Sequence, residues 1–349
     1  MKIAYGVCGE GNGHATRALP VIQFLRKNHE LRVIAGGKAK AYLSKPVNNL
    51  VSSISFRIVY KNNGVDLFAT LLYNILRLPL HIYSFFKVLF FLKKWRPDIV
   101  ISDFDYITNW VAHVLAIPLI SFDNEMIMTR SETEMPSGAE NLFFKAKLAI
   151  HLTTPHAHKY LVTSFWNPEN VSLNTTIVEP ILREAVLSAK SISGNHILVY
   201  QTSNSNTQLK QDLANLPFSF IIYALDGKGW SKNCVWKKFS AKKFISDLAS
   251  CQGVITNGGF TLITEALHLG KPVLSIPVQG QFEQILNAYY IQNLGYGLTS
   301  NMLTPELMFS FVKHLPEFRK NIAKYNAKKK QSWKKSLNQI IKEVAMHNN

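Results

Sequence analysis

The stretch from Val254 to Ala288, VITNGGFTLITEALHLGKPVLSIPVQGQFEQILNA, decides the fold. Gly253-Val254-Ile255 reads as the end of a buried strand, a short apolar run bounded by turn residues. Thr256-Asn257-Gly258-Gly259 is a turn whose glycines let backbone N–H groups come close to a ligand. A helix follows from near Thr261, with Leu262, Ile263, Ala266 and Leu267 facing inward and Glu265 one turn along. Gly270 and then Pro272 end it. Val273-Leu274-Ser275-Ile276-Pro277 is a second buried strand, which leads through a polar loop to a helix carrying Glu283, Gln284, Asn287 and Ala288.

This order of groups suits a nucleoside diphosphate. A helix N terminus after a Gly-Gly turn offers unpaired N–H donors and the positive end of a dipole, and both favour phosphate. A carboxylate one turn into that helix accepts two hydrogen bonds from adjacent hydroxyls, as on a ribose. An acid and an amide on the next loop do the same for a sugar. Glu265 alone would read as a surface glutamate in an ordinary α/β crossover; the ordered set argues for a site.

The run resembles the donor-sugar signature of GT-B glycosyltransferases, in particular the MurG-like (family 28 type) UDP-sugar transferases. The matching residues are Asn257-Gly258-Gly259-Phe260-Thr261, Glu265-Ala266, Gly270-Lys271-Pro272, Ile276-Pro277 and Glu283-Gln284-Ile285-Leu286-Asn287-Ala288. The resemblance implies that Asn257, Gly258, Gly259 and Thr261 hold the donor diphosphate and that Glu265 holds the ribose. Glu283, Gln284 and Asn287 then touch the donor sugar. Many such enzymes carry His or Arg where Asn257 stands here.

The chain has 349 residues, enough for two cores, and is 47% hydrophobic and 17% charged. Cys8, Cys234 and Cys251 are odd in number and lack metal-ligand spacing, so a disulfide framework or zinc site is disfavoured and a reducing cytoplasm is expected. Met1-Lys2 and a short apolar run lead straight into glycines, unlike a secretory signal. A net charge of +17 calls for a polyanionic neighbour. Nucleic acid ranks last among these, because no recognition motif for it is present.

Lys2 to Cys8 reads as the first strand, Gly9-Glu10-Gly11-Asn12-Gly13-His14 as a loop, and Ala15 to Lys27 as a helix. A glycine loop between strand and helix binds anions in general. The G-x-G-x-G spacing is not the dinucleotide fingerprint, and the strand Leu31 to Gly36 lacks a terminal acid for a ribose, so an NAD-dependent enzyme is disfavoured. His14 stands where the loop meets the helix, able to take a proton at neutral pH or simply to bond the loop backbone. The GT-B resemblance extends to Gly13-His14 and to Arg17 in a G-x-G-x-G-H-x-x-R pattern. It implies that His14 is the catalytic base and that Gly11, Asn12 and Gly13 approach the diphosphate. Arg17 binds phosphate or caps a surface.

Residues 67–92, LFATLLYNILRLPLHIYSFFKVLFFL, are strongly apolar and aromatic, with Arg77, Pro79, His81 and Lys87 interrupting them. The favoured reading is two consecutive core helices kinked at Pro79. The other is an apolar patch rimmed by bases, resting on an anionic membrane face. Asp103 and Asp105 end the strand Pro97 to Asp103 where open α/β sheets place ligands, and orient an acceptor hydroxyl or cap the next helix. Leu161 to Phe165 reads as the last strand of the first domain.

Ile197 to Tyr200 restarts the strand pattern, and Gln201-Thr202-Ser203-Asn204 is a polar strand-end loop in which Thr202 joins the diphosphate set. By resemblance Phe239 and Ser240 contact the nucleobase. Two halves that each alternate strand and helix give two doubly wound parallel-sheet, Rossmann-like domains facing a cleft. The expected boundaries are 1–183 for the acceptor side, 184–322 for the nucleotide-sugar side, and 323–349 for a basic C-terminal helix. In GT-B folds such a helix crosses back to the first domain, and Trp333, Leu337, Ile340 and Ile341 offer the stripe for it.

The reading is therefore an inverting, metal-independent glycosyltransferase without a cofactor, using a UDP-linked sugar and a lipid-linked or cell-envelope glycan acceptor. It is cytoplasmic and placed at the inner face of the plasma membrane. The alternatives are a nucleotide-sugar hydrolase or 2-epimerase on the same fold, which would free sugar without an acceptor, and a non-enzymatic nucleotide-sugar sensor.

Overall fold

The computed structural model describes residues 1–201, 206, 208–223 and 232–346. In its first half the strands are β1 (Lys2–Val7), β2 (Glu30–Ala35), β3 (Leu50–Ser52), a hairpin of β4 (Tyr60–Lys61) and β5 (Gly64–Val65), β6 (Ile99–Asp103), β7 (Leu119–Asp123), β8 (Lys159–Thr163) and β9 (Thr175–Val178). The second half has β10 (His196–Tyr200), β11 (Ser219–Tyr223), β12 (Cys234–Trp236), β13 (Gly253–Thr256), β14 (Val273–Ser275) and β15 (Gly297–Thr299). Two sheets result, a seven-stranded one of order β3-β2-β1-β6-β7-β8-β9 and a six-stranded one of order β12-β11-β10-β13-β14-β15. Both are parallel throughout. Helices cover both faces, which is why β1, β6 and β13 read as unbroken apolar runs and not as alternating ones. Strand order reverses beside β1 and beside β10, and ligands of such sheets lie at the carboxyl ends of the strands there.

The first sheet gains part of its core from the far end of the chain. Helix Trp333–Met346 packs on β6, β8 and β9. Its Trp333, Leu337, Ile340, Ile341 and Val344 are buried with Ile3, Ile99, Ile120 and Leu161. Trp333 meets Phe24 edge-on at 5.4 Å. The two halves also touch through aromatic rings, with Trp166 stacked on Tyr290 at 4.2 Å and Phe143 against Phe282 at 4.9 Å.

Two expectations are corrected. Leu161 to Phe165 is not the last strand of its sheet; β9 lies beyond it, because the short run Thr175–Val178 pairs along β8. Nor are residues 67–92 core helices throughout: Val88 and Leu92 enter the core, with Phe85, Leu89 and Phe91 against it, while most of the rest of the pair lies at the surface. Helices Leu67–Leu76 and Leu78–Trp95 bend by 59° at Arg77, with Pro79 in the first turn of the second. Only Thr70, Asn74, Ser84, Val88 and Leu92 of the pair are buried. Phe68, Leu71, Leu76, Tyr83, Phe86 and Phe90 face outward, Phe68 at 77% exposure and Phe90 at 64%. Helix Glu140–Thr153 is held nearby by the Trp110 Nε1 bond to the Leu152 carbonyl at 3.1 Å and exposes Phe144, Leu148 and Leu152. Among the described residues no single helix is long and apolar enough to cross a membrane.

Helices Trp333–Met346 and Leu78–Trp95 therefore predict stability effects of different size. Leu337→Ala, at a fully buried site, is expected to cost ~2–5 kcal/mol in urea unfolding. Phe90→Ser should stay within about 0.5 kcal/mol of the parent, as a surface change does.

Candidate active site

Two helix N termini meet at the cleft. Helix Gly13–Leu25 follows the first glycine loop, and helix Phe260–His268 follows the Asn257-Gly258-Gly259 turn. Neither first turn receives a side-chain cap, so unpaired N–H groups and two positive dipole ends converge. A Cβ on Gly13 would lie 2.9 Å from Thr261 Oγ1, so glycine there permits the approach. Gly258 has φ +95° and lies against the Gln284 carbonyl and the Ser275 hydroxyl; a Cβ would come within 2.7 Å of that carbonyl. Asn287 Nδ2 donates to the Gly258 carbonyl at 3.0 Å and pins the turn. Gly11, at φ +78°, has open space above it.

A cluster of charged groups gathers under these termini at the ends of β6 and β7. Arg17 is buried; its Nε donates to Asp103 Oδ2 at 3.0 Å and its Nη2 to Asp103 Oδ1 at 2.5 Å. The same Nη2 reaches Glu125 Oε2 at 3.3 Å, and Nη1 donates to Asn124 Oδ1. His14 Nδ1 lies 2.9 Å from Asp103 Oδ1 and Nε2 lies 3.3 Å from Glu125 Oε1. Asp103 Oδ1 thus faces both the guanidinium and the imidazole, and Arg17 Nη2 also lies 2.8 Å from His14 Nδ1. From the other half, Glu283 Oε1 accepts from Asn124 Nδ2 at 2.9 Å and closes the cluster across the cleft.

Charge is distributed by these contacts. Burial raises the Asp103 and Glu125 acids, yet Arg17 and His14 overcome it, leaving Asp103 below its ordinary value and Glu125 at about 2. Burial and the nearby Glu125 carboxylate lift Glu283 to about 7. Burial and Arg17 pull His14 down, but Cys8, Asp103 and Glu125 together set it well above the ordinary histidine range. His14, Asp103 and Glu125 also have ligand atoms within 4.8 Å of one another, a spacing open to a metal ion. Arg17 already stands against the same carboxylates, so the group has an organic cation of its own.

The reading of Arg17 as a surface cap is corrected: it is buried, as a counter-charge for Asp103 and Glu125. Asp105 is a helix cap, its Oδ2 accepting from Thr108 N and Thr108 Oγ1, both at 2.9 Å. Glu265 is buried, and its two oxygens accept from Arg183 Nε at 2.6 Å and Nη2 at 2.5 Å. Asn257 Nδ2 shares its hydrogens among Gln201 Oε1 at 2.7 Å, the Ile276 carbonyl at 3.0 Å and Asn63 Oδ1 at 3.3 Å, so it braces the turn. Gln284 Oε1 accepts from Val278 N at 3.0 Å. Asn12 Nδ2 reaches the Tyr200 hydroxyl at 3.5 Å. Phe239 stands half-exposed beside Phe244 at the end of the second sheet, and Ser240 precedes the helix Ala241–Ser250. Thr202 lies outside the described residues. Sequence reasoning missed the roles of Asn124, Glu125 and Arg183; the polar run Asp123-Asn124-Glu125 at a strand end was the available signal for the first two.

The chain is similar to known glycosyltransferases in sequence and in fold. The family described as Glycosyl transferase family 1 matches residues 1–316. An uncharacterized glycosyltransferase of Methanosarcina acetivorans is 22% identical over 91% of this chain and 90% of its own. The UDP-N-acetylglucosamine–N-acetylmuramyl-(pentapeptide) pyrophosphoryl-undecaprenol N-acetylglucosamine transferase of Clostridium botulinum is 27% identical over 72% of this chain and 74% of its own. Among solved structures, a UDP-glucosyltransferase from Polygonum tinctorium superposes with a TM-score of 0.69 at 14% identity, over 99% of this chain and 98% of that one. The two-domain architecture is that of the GT-B glycosyltransferases.

The pair of Arg183 and Glu265 gives the stability test of this site. Arg183→Ala leaves a buried carboxylate without its partner and is expected to cost ~3–5 kcal/mol. Burial already raises the Glu265 acid, so without Arg183 it takes up a proton more readily and the loss should shrink as pH falls. Denaturant unfolding at two pH values measures both effects.

Proposed function

Starting from a chain that belongs to Glycosyl transferase family 1, we propose that it moves a sugar from a UDP-linked donor to a hydroxyl of a lipid-linked or cell-envelope glycan. Transfer inverts the anomeric centre and needs no metal. The observation that carries this reading is His14 Nε2 beside Glu125, with Glu283 of the donor half linked to the same cluster through Asn124, under two uncapped helix N termini. In the proposed reaction the acceptor oxygen bonds to the anomeric carbon as its proton passes to His14 Nε2. The bond from that carbon to the diphosphate oxygen breaks, and the electron pair leaves with UDP. Asp103 holds the other imidazole nitrogen, which fixes the tautomer and stabilises the imidazolium. The N–H groups of the Gly258-Gly259 turn and its helix receive the charge that develops on the departing diphosphate. Arg17 supports the metal-free reading, because it supplies the positive charge within the carboxylate cluster.

The exposed apolar elbow of helices Leu67–Leu76 and Leu78–Trp95 supports an acceptor held at a membrane. Its bases Arg77, Lys87, Lys93 and Lys94, on a chain of net charge +17, suit an anionic lipid face.

The reaction is tested by supplying UDP-sugars with and without a polyprenyl-diphosphate-linked glycan. UDP release should depend on the acceptor, and His14→Ala should lower the rate by about 10²–10⁴. Sugar set free without any acceptor would replace this reading with a hydrolase. A base with a raised pKa is protonated and idle below it, so kcat/KM should climb with pH through a midpoint above the ordinary histidine value of about 6.5. Glu125→Gln should move that midpoint down. For the membrane arm, the protein should sediment with phosphatidylglycerol vesicles, and a Phe68→Ser, Phe90→Ser double variant should stay in the supernatant.

A further inference from the structure

The hairpin between β4 and β5 crosses from the acceptor half to the donor half. It turns through Asn62 and Asn63, both left-handed at φ 48° and 53°, and then Gly64, the backbone that two-residue hairpin turns require. Its tip joins the donor loop Pro277 to Gln281 by backbone bonds, Gln279 N donating to the Asn63 carbonyl and Val65 N to the Gln279 carbonyl, each at 2.9 Å. Asn63 Nδ2 donates to the Pro277 carbonyl at 3.3 Å, and its Oδ1 accepts from Asn257 Nδ2 at 3.3 Å. One side chain of the acceptor half therefore touches both the strand-end loop and the turn proposed for the diphosphate.

A polar chain runs beside these bonds. Gln284 Nε2 donates to Gln281 Oε1 at 2.5 Å, Gln281 Nε2 donates to the Tyr60 hydroxyl at 2.6 Å, and that hydroxyl reaches Glu10 Oε1 of the first glycine loop at 3.5 Å. A carboxamide has two donor hydrogens and two lone-pair directions, so Gln281 and Gln284 can hold this chain and a sugar hydroxyl together. Carboxamides both donate and accept, which is the capacity that distinguishing hydroxyl positions on a hexose ring requires.

We propose that this hairpin is a sugar-reading clasp, in which Tyr60 and Asn63 position Gln281 and Gln284 over the hexose of the bound nucleotide sugar and so set donor-sugar specificity. The inference rests on the donor reading above and deepens it. Tyr60 and Asn63 are positioning residues; the sugar is touched by the amides they hold. Asn63 also touches the diphosphate turn, whereas the Tyr60 hydroxyl meets only Gln281 and Glu10 among the described residues, so loss of that hydroxyl separates sugar recognition from nucleotide recognition.

Calorimetric titration of the full-length protein with UDP, UDP-glucose and UDP-N-acetylglucosamine tests it. Tyr60→Phe removes one oxygen and is expected to weaken the preferred UDP-sugar by about tenfold while changing UDP by less than about twofold. Asn63→Ala should narrow the ratio of kcat/KM between the two UDP-sugars. Equal weakening of UDP and UDP-sugar, or an unchanged sugar ratio in both variants, would overturn the clasp. A parent protein that binds none of the three compounds overturns the donor reading itself, and the inference falls with it. Melting midpoints of both variants separate a misfolded hairpin from a lost contact.

Discussion

Arg17 is the constraint on which the site depends. It sits on the first helix, fully enclosed, and answers carboxylates that come from the ends of two different strands. Two acids at that depth would repel each other and take up protons if no cation stood between them. With the guanidinium in place both stay charged, and their charge fixes the imidazole that shares Asp103 with it. The first helix, β6 and β7 are thereby held in one register by electrostatics as well as by packing. Glu283, which reaches the cluster through Asn124 and has no direct bond to Arg17, keeps a raised pKa, as burial and the Glu125 carboxylate dictate.

Much of the fold could be read from the chain because its signals are local. Gly258-Gly259 before an apolar helix, Gly270 and Pro272 after it, and apolar runs too continuous for a half-exposed strand each report on a few neighbouring residues. The residues that complete the site come from elsewhere in the chain. Glu125 and Asn124 matter because β7 ends beside β6, and Arg183 matters because a connection between the halves lies against Glu265; no spacing rule announces either. Arg17 looked like a surface cation because a helix position three residues past His14 carries no mark of depth.

The misreading of residues 67–92 has a different origin. Hydrophobic content gives the tendency to leave water but not the neighbour that replaces it. A helix facing a core and one facing a lipid surface present the same stripe in sequence. Tertiary placement alone separates them, and here it leaves most of the aromatic residues uncovered.

The docking of helix Trp333–Met346 on β6, β8 and β9 has a consequence for synthesis. The first sheet is translated early, yet part of its hydrophobic core belongs to residues that emerge last. While the ribosome makes the entire second half, the surface around Ile120 and Leu161 waits without Trp333 and Leu337. Nascent domains usually close in the order in which they are made. In this chain the half made first is finished last, so a truncated product carries an open core on its N-terminal domain however well the donor half has folded.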